Sequence, residues 1–293
     1  VRISYNENGL EKAIGFTGDL GNYNSKLVVD PKPMPALNFL VSESTYGNRY
    51  HKEQRSAEGV LKEHVLKSCI EQKGKLIIPA FSVGRTQAIL FTLKKLFSEG
   101  ALPPIRVFAD SPLALSSTNI HNRFTSYLNQ ECKVYLTKSA SLFDFKNLYL
   151  VEDEEDVEDM NLYQESNIVV SSAGMLEGGR IQQHLADNIQ NPLCTVLIAG
   201  FCSPGTTGAR LLAGDTQIKL KGSYRYVYAN IAQTDVFSAH PDVKGLKQYY
   251  SETVNDNLKQ ILLVHGEEQA MLDLQEELSS ELTQEVLIPI KGD

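Results

Sequence analysis

The sequence predicts an α/β fold in which a parallel-rich sheet is flanked by helices. From about residue 75, short runs of β-branched and apolar residues alternate with amphipathic helical runs, and such alternation is typical of α/β domains. The strand-like runs are apolar throughout, which is typical of strands covered on both faces, as in a parallel sheet. With 293 residues, 42% of them hydrophobic and 22% charged, the chain can bury one large core or two moderate ones.

The middle of the chain supplies the strands and helices of this sheet. The predicted strands are residues 75–80 (KLIIPA), 105–110 (IRVFAD), 168–172 (IVVSS) and 195–201 (TVLIAGF). The predicted helices, which carry apolar residues at helical spacing, are residues 52–72, 86–97 and 180–189. An acidic run between them, V-E-D-E-E-D-V-E-D at 151–159, is interpreted as a solvated loop or a helix start.

The two ends of the chain differ from the middle. Residues 1–19 predict two strands joined across N-E-N-G, and residues 39–43 predict another strand. A long polar and aromatic strand region covers residues 218–237, and a helix, a strand, a helix and a strand follow it up to residue 290. We therefore expect both ends to belong to one layer, with the middle inserted as a separate domain.

Composition narrows the kinds of partner and the cellular compartment. The net charge of −8 argues against a broad basic surface, so a nucleic acid would have to be bound in a local groove. No apolar run approaches the ~20 residues that cross a bilayer, and no signal-peptide pattern occurs. The four cysteines form no C-x-x-C pair, which favours buried thiols in a reducing compartment and predicts a cytoplasmic protein.

Three predicted strand-to-helix junctions share a chemistry that suits phosphate. They read F-S-V-G-R-T-Q (81–87), S-S-A-G-M-L-E-G-G-R (171–180) and C-S-P-G-T-T-G-A-R (202–210). Glycine lets backbone N–H groups approach an anion, a helix N-terminus favours negative charge, and arginine binds phosphate bidentately. The candidate phosphate-binding residues are Arg85, Ser171, Ser172, Gly174, Gly178, Gly179, Arg180, Thr207 and Arg210.

Four further residues are candidates for metal binding and proton transfer. Asp19, Glu43, His240 and His265 are each expected at a strand end, where side chains converge in α/β proteins. Aspartate and histidine are zinc ligands, and a Glu–His pair can transfer a proton. Two ligands do not complete a zinc site, which takes at least three from the protein. The remaining histidines are interpreted as structural: His51, His64, His121 and His184.

Six ordered motifs resemble the β-CASP branch of the metallo-β-lactamase superfamily, which includes the pre-mRNA 3′-end cleavage endonuclease and RNase J. They are F-T-G-D-L-G-N, E-S-T-Y-G-N-R, I-P-A-F-S-V-G-R-T-Q, S-S-A-G-M-L-E-G-G-R, F-S-A-H-P-D and L-V-H-G-E. The resemblance implies a β-CASP sheet inserted into a metallo-β-lactamase αββα domain, here partial, with RNA in the cleft between them. It assigns residues 1–47 to the C-terminal strands of the first metallo-β-lactamase half, 48–237 to the β-CASP domain, and 238–293 to the returning metallo-β-lactamase part.

The resemblance also implies a role for each of the four residues. Asp19 matches the aspartate that bridges two zinc ions, and His265 matches the last metal histidine. His240 matches the histidine that protonates the leaving oxygen, and Glu43 matches the acid that orients it. The implied reaction is hydrolysis of RNA phosphodiester bonds by a metal-activated water, in mRNA processing or decay.

One departure from the family pattern affects these expectations. The H-x-H-x-D-H motif and a further metal histidine, which the family carries upstream of T-G-D, do not occur in these residues. We therefore expect a fragment of a zinc-dependent ribonuclease that is inactive by itself. The alternatives are a non-catalytic RNA-binding scaffold of the same family, or a metallohydrolase that acts on DNA or a small phosphoester. Endo- or exonuclease action, sequence preference and oligomeric state stay open, with a homodimer among the alternatives.

Overall fold

The computed structural model describes residues 1–52 and 55–290. The strands are β1 (Arg2–Glu7), β2 (Leu10–Phe16), β3 (Phe39–Glu43), β4 (Lys75–Pro79), β5 (Arg106–Asp110), β6 (Leu148–Leu150), β7 (Asn167–Ser171), β8 (Thr195–Ala199), β9 (Gln217–Leu220), β10 (Ser223–Tyr226), β11 (Asn230–Thr234), β12 (Gln260–Val264) and β13 (Glu285–Leu287). The helices are α1 (Ala57–Val65), α2 (Arg85–Ser98), α3 (Pro112–Arg123), α4 (Gln130–Leu136), α5 (Glu154–Leu162), α6 (Ile181–Asn188), α7 (Thr207–Leu212), α8 (Val243–Thr253) and α9 (Glu268–Glu281).

The chain divides into two compact units. The terminal unit contains residues 1–25, 29–52 and 239–290 of the described chain, and the central unit contains residues 26–28 and 55–238. Among the described residues, no helix is both long enough and apolar enough to cross a membrane.

The terminal unit contains a five-stranded mixed sheet in the order β1-β2-β3-β12-β13. β1 and β2 form an antiparallel hairpin whose turn residues Asn8 and Gly9 both have positive φ, as the sequence N-E-N-G predicts. From β2 onward, neighbouring strands are parallel. The carboxyl ends of β2, β3 and β12 therefore lie at one edge of the sheet.

Helices α8 and α9 close the core of the terminal unit. Tyr249 and Tyr250 of α8 are among the largest fully buried side chains, and Leu274 and Leu278 of α9 are buried with them. All four pack in one apolar cluster with Leu40, Ile261 and Leu263 from the sheet. This packing fixes the segments that flank α8, which include His240.

The central unit contains a six-stranded parallel sheet in the order β11-β8-β4-β7-β5-β6. Its four inner strands, β8, β4, β7 and β5, are buried on both faces. In β4, Leu76 and Ile78 belong to one apolar cluster and Ile77 to another. The predicted parallel-rich α/β fold is confirmed, and burial on both faces explains the unbroken apolar runs.

Two sequence predictions differ from the structure in detail. The predicted helix at 52–72 includes residues 53–54, which lie outside the described residues, and α1 begins at Ala57 with Ser56 as its N-cap. The strand region at 218–237 is not continuous, because β9 and β10 form a separate hairpin and only β11 joins the central sheet.

Candidate active site

Strand pairing brings Asp19, Glu43 and His265 to one edge of the terminal sheet. Glu43 is the last residue of β3 and pairs with Val264, the last residue of β12, so His265 follows directly beside it. Asp19 lies in the loop after β2, three residues beyond its end at Phe16. Asp19 Oδ1 is 3.3 Å from His265 Nδ1, and the two side chains are 66% and 58% exposed. These two donors therefore form a solvent-accessible pair.

Glu43 and His240 form a second pair beside the first. The Glu43 side chain is 1% exposed, and its Oε2 atom is 2.7 Å from His240 Nδ1. The Leu20 backbone N–H donates to Glu43 Oε1 (2.6 Å), and the Thr45 hydroxyl donates to Oε2 (2.8 Å). An ionised carboxylate only accepts hydrogen bonds, so three converging donors suit a buried anionic Glu43. The arrangement holds the His240 ring by one nitrogen.

His240 is not at the end of a strand, contrary to the sequence prediction. β11 ends at Thr234, and His240 lies in the loop that leads into α8. Asp242 caps α8 by accepting from the Gly245 N–H (2.9 Å) and also accepts from the His51 backbone N–H (3.1 Å). His240 is therefore held from two sides: Asp242, two residues further on, caps α8, and the Glu43 carboxylate binds the ring.

Three residues that contact this site were missed by sequence reasoning. Thr45 Oγ1 lies 2.8 Å from Glu43 Oε2 and 3.1 Å from the His265 carbonyl, and its single proton can be donated to either oxygen. His51, interpreted above as structural, places Nε2 3.1 Å from the His240 carbonyl. The buried Tyr250 hydroxyl donates to Ser42 Oγ (3.0 Å), and burial raises the pKa of this phenol. Thr45 has a signal in E-S-T-Y-G; the other two require the folded structure.

The donor set suits a metal ion. Within the described part of the chain, ligand atoms of Asp19, His240 and His265 all lie within 4.8 Å of one another. Carboxylate oxygen and imidazole nitrogen are ordinary zinc ligands, and three protein ligands are enough for one catalytic ion. Glu43 engages Nδ1 of His240, so this histidine could offer only its Nε2 atom to a metal ion or to a proton acceptor. The residues fit a metal site but do not supply the full ligand set of two ions.

The three candidate phosphate loops lie side by side. They follow β8, β4 and β7, which are consecutive neighbours in the central sheet, so the loops meet at its carboxyl edge. Hydroxyl groups connect the first two loops, those after β4 and β7: Ser111, after β5, lies 3.1 Å from Ser82 and 3.2 Å from Ser172, measured between Oγ atoms. The structure therefore assembles the loops as the strand-end argument predicts.

All three arginines in these loops have partners within the protein, and their assignment as phosphate ligands stays a prediction. Arg85 is buried, and its Nε donates to the Phe237 carbonyl (3.2 Å). Arg180 forms an ion pair with the buried Asp110. Arg210 Nε donates to Asp215 (2.7 Å). A guanidinium that already pairs with a carboxylate, or that lies in the core, contributes less free energy to the binding of a phosphate.

Two of the serine and threonine candidates also form hydrogen bonds within the protein. Ser171 is buried and donates to the Asp110 carbonyl (2.9 Å). The Thr207 N–H, at the start of α7, donates to the Glu177 carboxylate, which occupies the position an anion would take there. Ser172 is less buried than Ser171.

The glycine candidates allow the backbone conformation and close packing of the loop at residues 171–180. Gly178 and Gly179 have φ of +69° and +68°, and a side chain at Gly179 would meet the Ser172 carbonyl at 2.4 Å. Gly174 packs against the Phe81 ring. Ser172 and these three glycines therefore stay predictions as anion contacts.

A second carboxylate–histidine pair lies in the central unit. His184 Nε2 is 2.7 Å from Asp110 Oδ2, and the two side chains are 8% and 4% exposed. Burial acts to raise the pKa of Asp110, but hydrogen bonds from His184 and Arg180 outweigh burial and lower it. The structure thus gives His184 a buried partner.

Family models match two parts of the chain. The Beta-Casp domain matches residues 86–211, and the Zn-dependent metallo-hydrolase RNA specificity domain matches residues 226–289. The fold is α/β, and the donor set could hold a metal ion. The two matches support a protein of the β-CASP branch of the metallo-β-lactamase superfamily, a family that implies a metal cofactor.

Curated relatives match across most of the chain. A ribonuclease of Thermus thermophilus is 28% identical over 267 residues, which is 91% of this chain and 60% of the relative. A transcription termination factor of Methanosarcina mazei is 28% identical over 276 residues, 91% of this chain and 42% of the relative. An RNase J-like protein of Methanocaldococcus jannaschii is 25% identical over 284 residues, 96% of this chain and 64% of the relative. The chain thus spans less than two thirds of each of these proteins.

Proposed function

We propose that the chain is part of a metal-dependent ribonuclease that hydrolyses RNA phosphodiester bonds. The observation that carries the proposal is the convergence of Asp19 and His265 with the Glu43–His240 pair at one sheet edge. Two relatives are named ribonuclease or RNase J-like protein, and one matched domain is named for RNA specificity. Acting on RNA in processing or decay is the function that these observations support best.

His240 is proposed to give a proton to the departing 3′-oxygen. Glu43 holds Nδ1 of the ring at 2.7 Å, so the proton would leave from Nε2, the nitrogen that Glu43 does not contact. The His240 side chain is 21% exposed, whereas that of Glu43 is 1% exposed, so the histidine is the member of the pair that substrate can reach. Glu43 and Thr45 would act as positioning residues, since they touch His240 and not the substrate.

Asp19 and His265 are proposed as residues that would hold zinc, in a site for two ions in the full-length gene product. A bound metal would supply Lewis-acid stabilisation of negative charge on the phosphate. Both side chains are more than half exposed, so an ion could reach them from solvent. The described residues supply an incomplete ligand set for two ions, which supports the proposal that this chain alone is inactive.

The domain assignment, the phosphate contacts and the location stay part of the proposal. We assign residues 1–47 and 238–293 to the metallo-β-lactamase domain and 48–237 to the β-CASP domain, and the two compact units support this division. RNA phosphate would contact Ser172 and Gly178 at the carboxyl edge of the central sheet. The four cysteines are all reduced and buried, which supports a cytoplasmic location.

The test is cleavage of a 5′-labelled single-stranded RNA by the full-length gene product, with zinc and after chelation. We expect zinc-dependent cleavage that falls by about 10²–10⁴-fold in His240→Ala. His121→Ala is the matched control, because His121 bonds within its own helix to the Ser117 carbonyl, and it should cleave like wild type.

The same assay separates the alternatives. RNA binding without cleavage, in a preparation that contains its zinc, would replace the nuclease with an RNA-binding scaffold. Cleavage of DNA or of small phosphoesters in preference to RNA would change the substrate class. Efficient RNA cleavage by the isolated chain would contradict the proposal that it is inactive alone.

A further inference from the structure

The hairpin of β9 and β10, with the residues that follow it, has an unusual chemistry for this protein. Residues 216–234 contain Lys219, Lys221 and Arg225 and no acidic residue, in a chain whose net charge is −8. The same segment carries three of the chain's thirteen tyrosines at every second position: Tyr224, Tyr226 and Tyr228. We call these three residues the tyrosine row.

The tyrosine row faces solvent. β9 and β10 pair antiparallel, and the inward face of the hairpin is formed by Ile218 and Leu220, which are fully buried. Tyr224 pairs with Lys219, which is exposed on the outward face. The three tyrosines are 67%, 53% and 56% exposed, so none of them is needed to fill the core.

The geometry of the row matches a stacked single strand. The Tyr226 and Tyr228 rings are parallel to within 7°, with centroids 6.0 Å apart. Two residues of β-strand advance about 6.6 Å, which is the step between Tyr224 and Tyr226 along β10; Tyr228 lies two residues past the end of this strand. Bases of single-stranded nucleic acid stack on such rings, and every base has a face that can do so.

The charges of the hairpin are available to phosphate. Lys219 is exposed, and Lys221 bonds to the neutral side chain of Gln183, which leaves its positive charge uncompensated there. Arg225 points to the other side, where it bonds to Gln190 (3.4 Å). Lysines beside an aromatic row complement a polyanion better than they complement an apolar protein surface.

We propose that the β9–β10 hairpin and Tyr228 form a stacking platform for single-stranded RNA, with Lys219 and Lys221 contacting its phosphates. The proposal rests on the proposed function for the choice of RNA as the occupant. It adds a binding surface that neither the metal-ligand residues nor the strand-end loops include.

The test is binding of a fluorescein-labelled 12-nucleotide single-stranded RNA to the chain by fluorescence anisotropy, in EDTA. The variant that removes the rings is Tyr224→Ala/Tyr226→Ala/Tyr228→Ala, and the variant that keeps them is the corresponding triple Tyr→Phe. Tyr127→Ala removes an equally exposed tyrosine (68%) from outside the row and serves as the control. Because the chain contains no tryptophan, tyrosine emission can be followed, and quenching by unlabelled RNA that the triple alanine variant lacks reports on stacking at the row.

We expect the triple alanine variant to bind RNA about tenfold more weakly or worse. The triple phenylalanine variant and Tyr127→Ala should bind within twofold of wild type, and all variants should keep the wild-type circular dichroism spectrum. The plot of log K against log salt has a negative slope, and Lys219→Ala and Lys221→Ala should each reduce its magnitude by about 0.7.

Two results would overturn the platform. Equal RNA affinity of the wild type and a folded triple alanine variant would remove it. A change in sedimentation of that variant, with unchanged RNA affinity, would show that the row binds a second copy of the chain. Neither result touches the nuclease proposal, because this assay contains no metal and measures no cleavage.

Discussion

Two carboxylate–histidine pairs of equal length lie among the residues that the structure describes, one in each compact unit. Glu43 and His240 are 2.7 Å apart in the terminal unit, and Asp110 and His184 are 2.7 Å apart in the central unit. In both pairs the carboxylate is buried, but the His240 side chain is 21% exposed and that of His184 is 8% exposed. The contact is the same, and the surroundings of the histidine differ.

The difference shows what separates a reactive pair from a structural one. Asp110 also binds Arg180, so its pair belongs to a buried ion network that connects β5 with α6. Glu43 instead receives the Thr45 hydroxyl and a backbone N–H, and its histidine has the exposed Asp19 and His265 as neighbours. A histidine that is held by a buried carboxylate and still reaches solvent can exchange a proton; one that is enclosed mainly contributes to stability.

The largest expected effect is that of Glu43→Gln on activity. The change removes the negative charge that holds His240 Nδ1, so the cleavage rate of the full-length gene product should fall by about 10²–10⁴-fold. Initial rates on single-stranded RNA measure it, with the exposed Glu268→Gln as the control. A Glu43→Gln protein of wild-type rate would mean that the pair is structural, like its counterpart.

Asp110→Asn should act on stability. It leaves the buried His184 and the Arg180 guanidinium without their anion, and we expect the free energy of unfolding to fall by about 2–3 kcal/mol. This lies below the value for a fully enclosed pair, because the Arg180 side chain is 36% exposed. Urea unfolding measures the change. The control is the exposed Asp187→Asn on α6, the helix that carries His184. A loss below 0.5 kcal/mol would refute the structural role.

Gly266→Ala should weaken metal binding through the backbone beside His265. An added Cβ would lie 2.5 Å from Ser44 Oγ and 2.7 Å from the Ser44 carbonyl, so the loop must shift and unfolding should become easier by about 1–3 kcal/mol. The zinc content of the full-length Gly266→Ala protein after dialysis, measured by mass spectrometry, should fall below that of the full-length wild type. Gly59→Ala, whose Cβ meets only an ordinary contact inside α1, should leave zinc content unchanged.

The smallest effect is the pH dependence of the Asp110 contribution. The pKa of Asp110 is lowered in the folded chain, so the unfolded chain takes up the proton first as the pH falls. The stabilisation is complete above the unfolded pKa of about 4 and is lost as the pH falls through the lower folded pKa. The difference in unfolding free energy between wild type and Asp110→Asn should therefore shrink below about pH 4. A difference that stays constant down to pH 3 would contradict this sign.

Much of the fold could be predicted from local sequence. Runs such as 76–80 and 196–201 contain no polar side chain, and the two cores of the central sheet explain why. Asp19, Glu43 and His265 follow from strand ends, since parallel neighbours deliver their carboxyl ends to one edge.

The rest depends on contacts between residues far apart in the chain. His51 contacts the His240 carbonyl across 189 positions, and no local pattern marks such a pair. Arg85 has the loop chemistry of a phosphate ligand but lies in the core. Gly200, the residue after β8, leaves room for it there, since a Cβ at that position would meet the Arg85 guanidinium at 2.7 Å. The alternating pattern of the tyrosine row predicts a strand and does not say which face is covered.

The central claim is that His240 donates a proton to the leaving oxygen, and leaving-group dependence tests it most directly. The full-length gene product and its His240→Ala variant would be compared on RNA and on a nucleotide 4-nitrophenyl phosphodiester, whose leaving group departs without protonation. We expect His240→Ala to lose about 10²–10⁴-fold on RNA and less than about tenfold on the nitrophenyl ester. Equal losses on both substrates would contradict proton donation and would mean that His240 holds the metal or the fold instead.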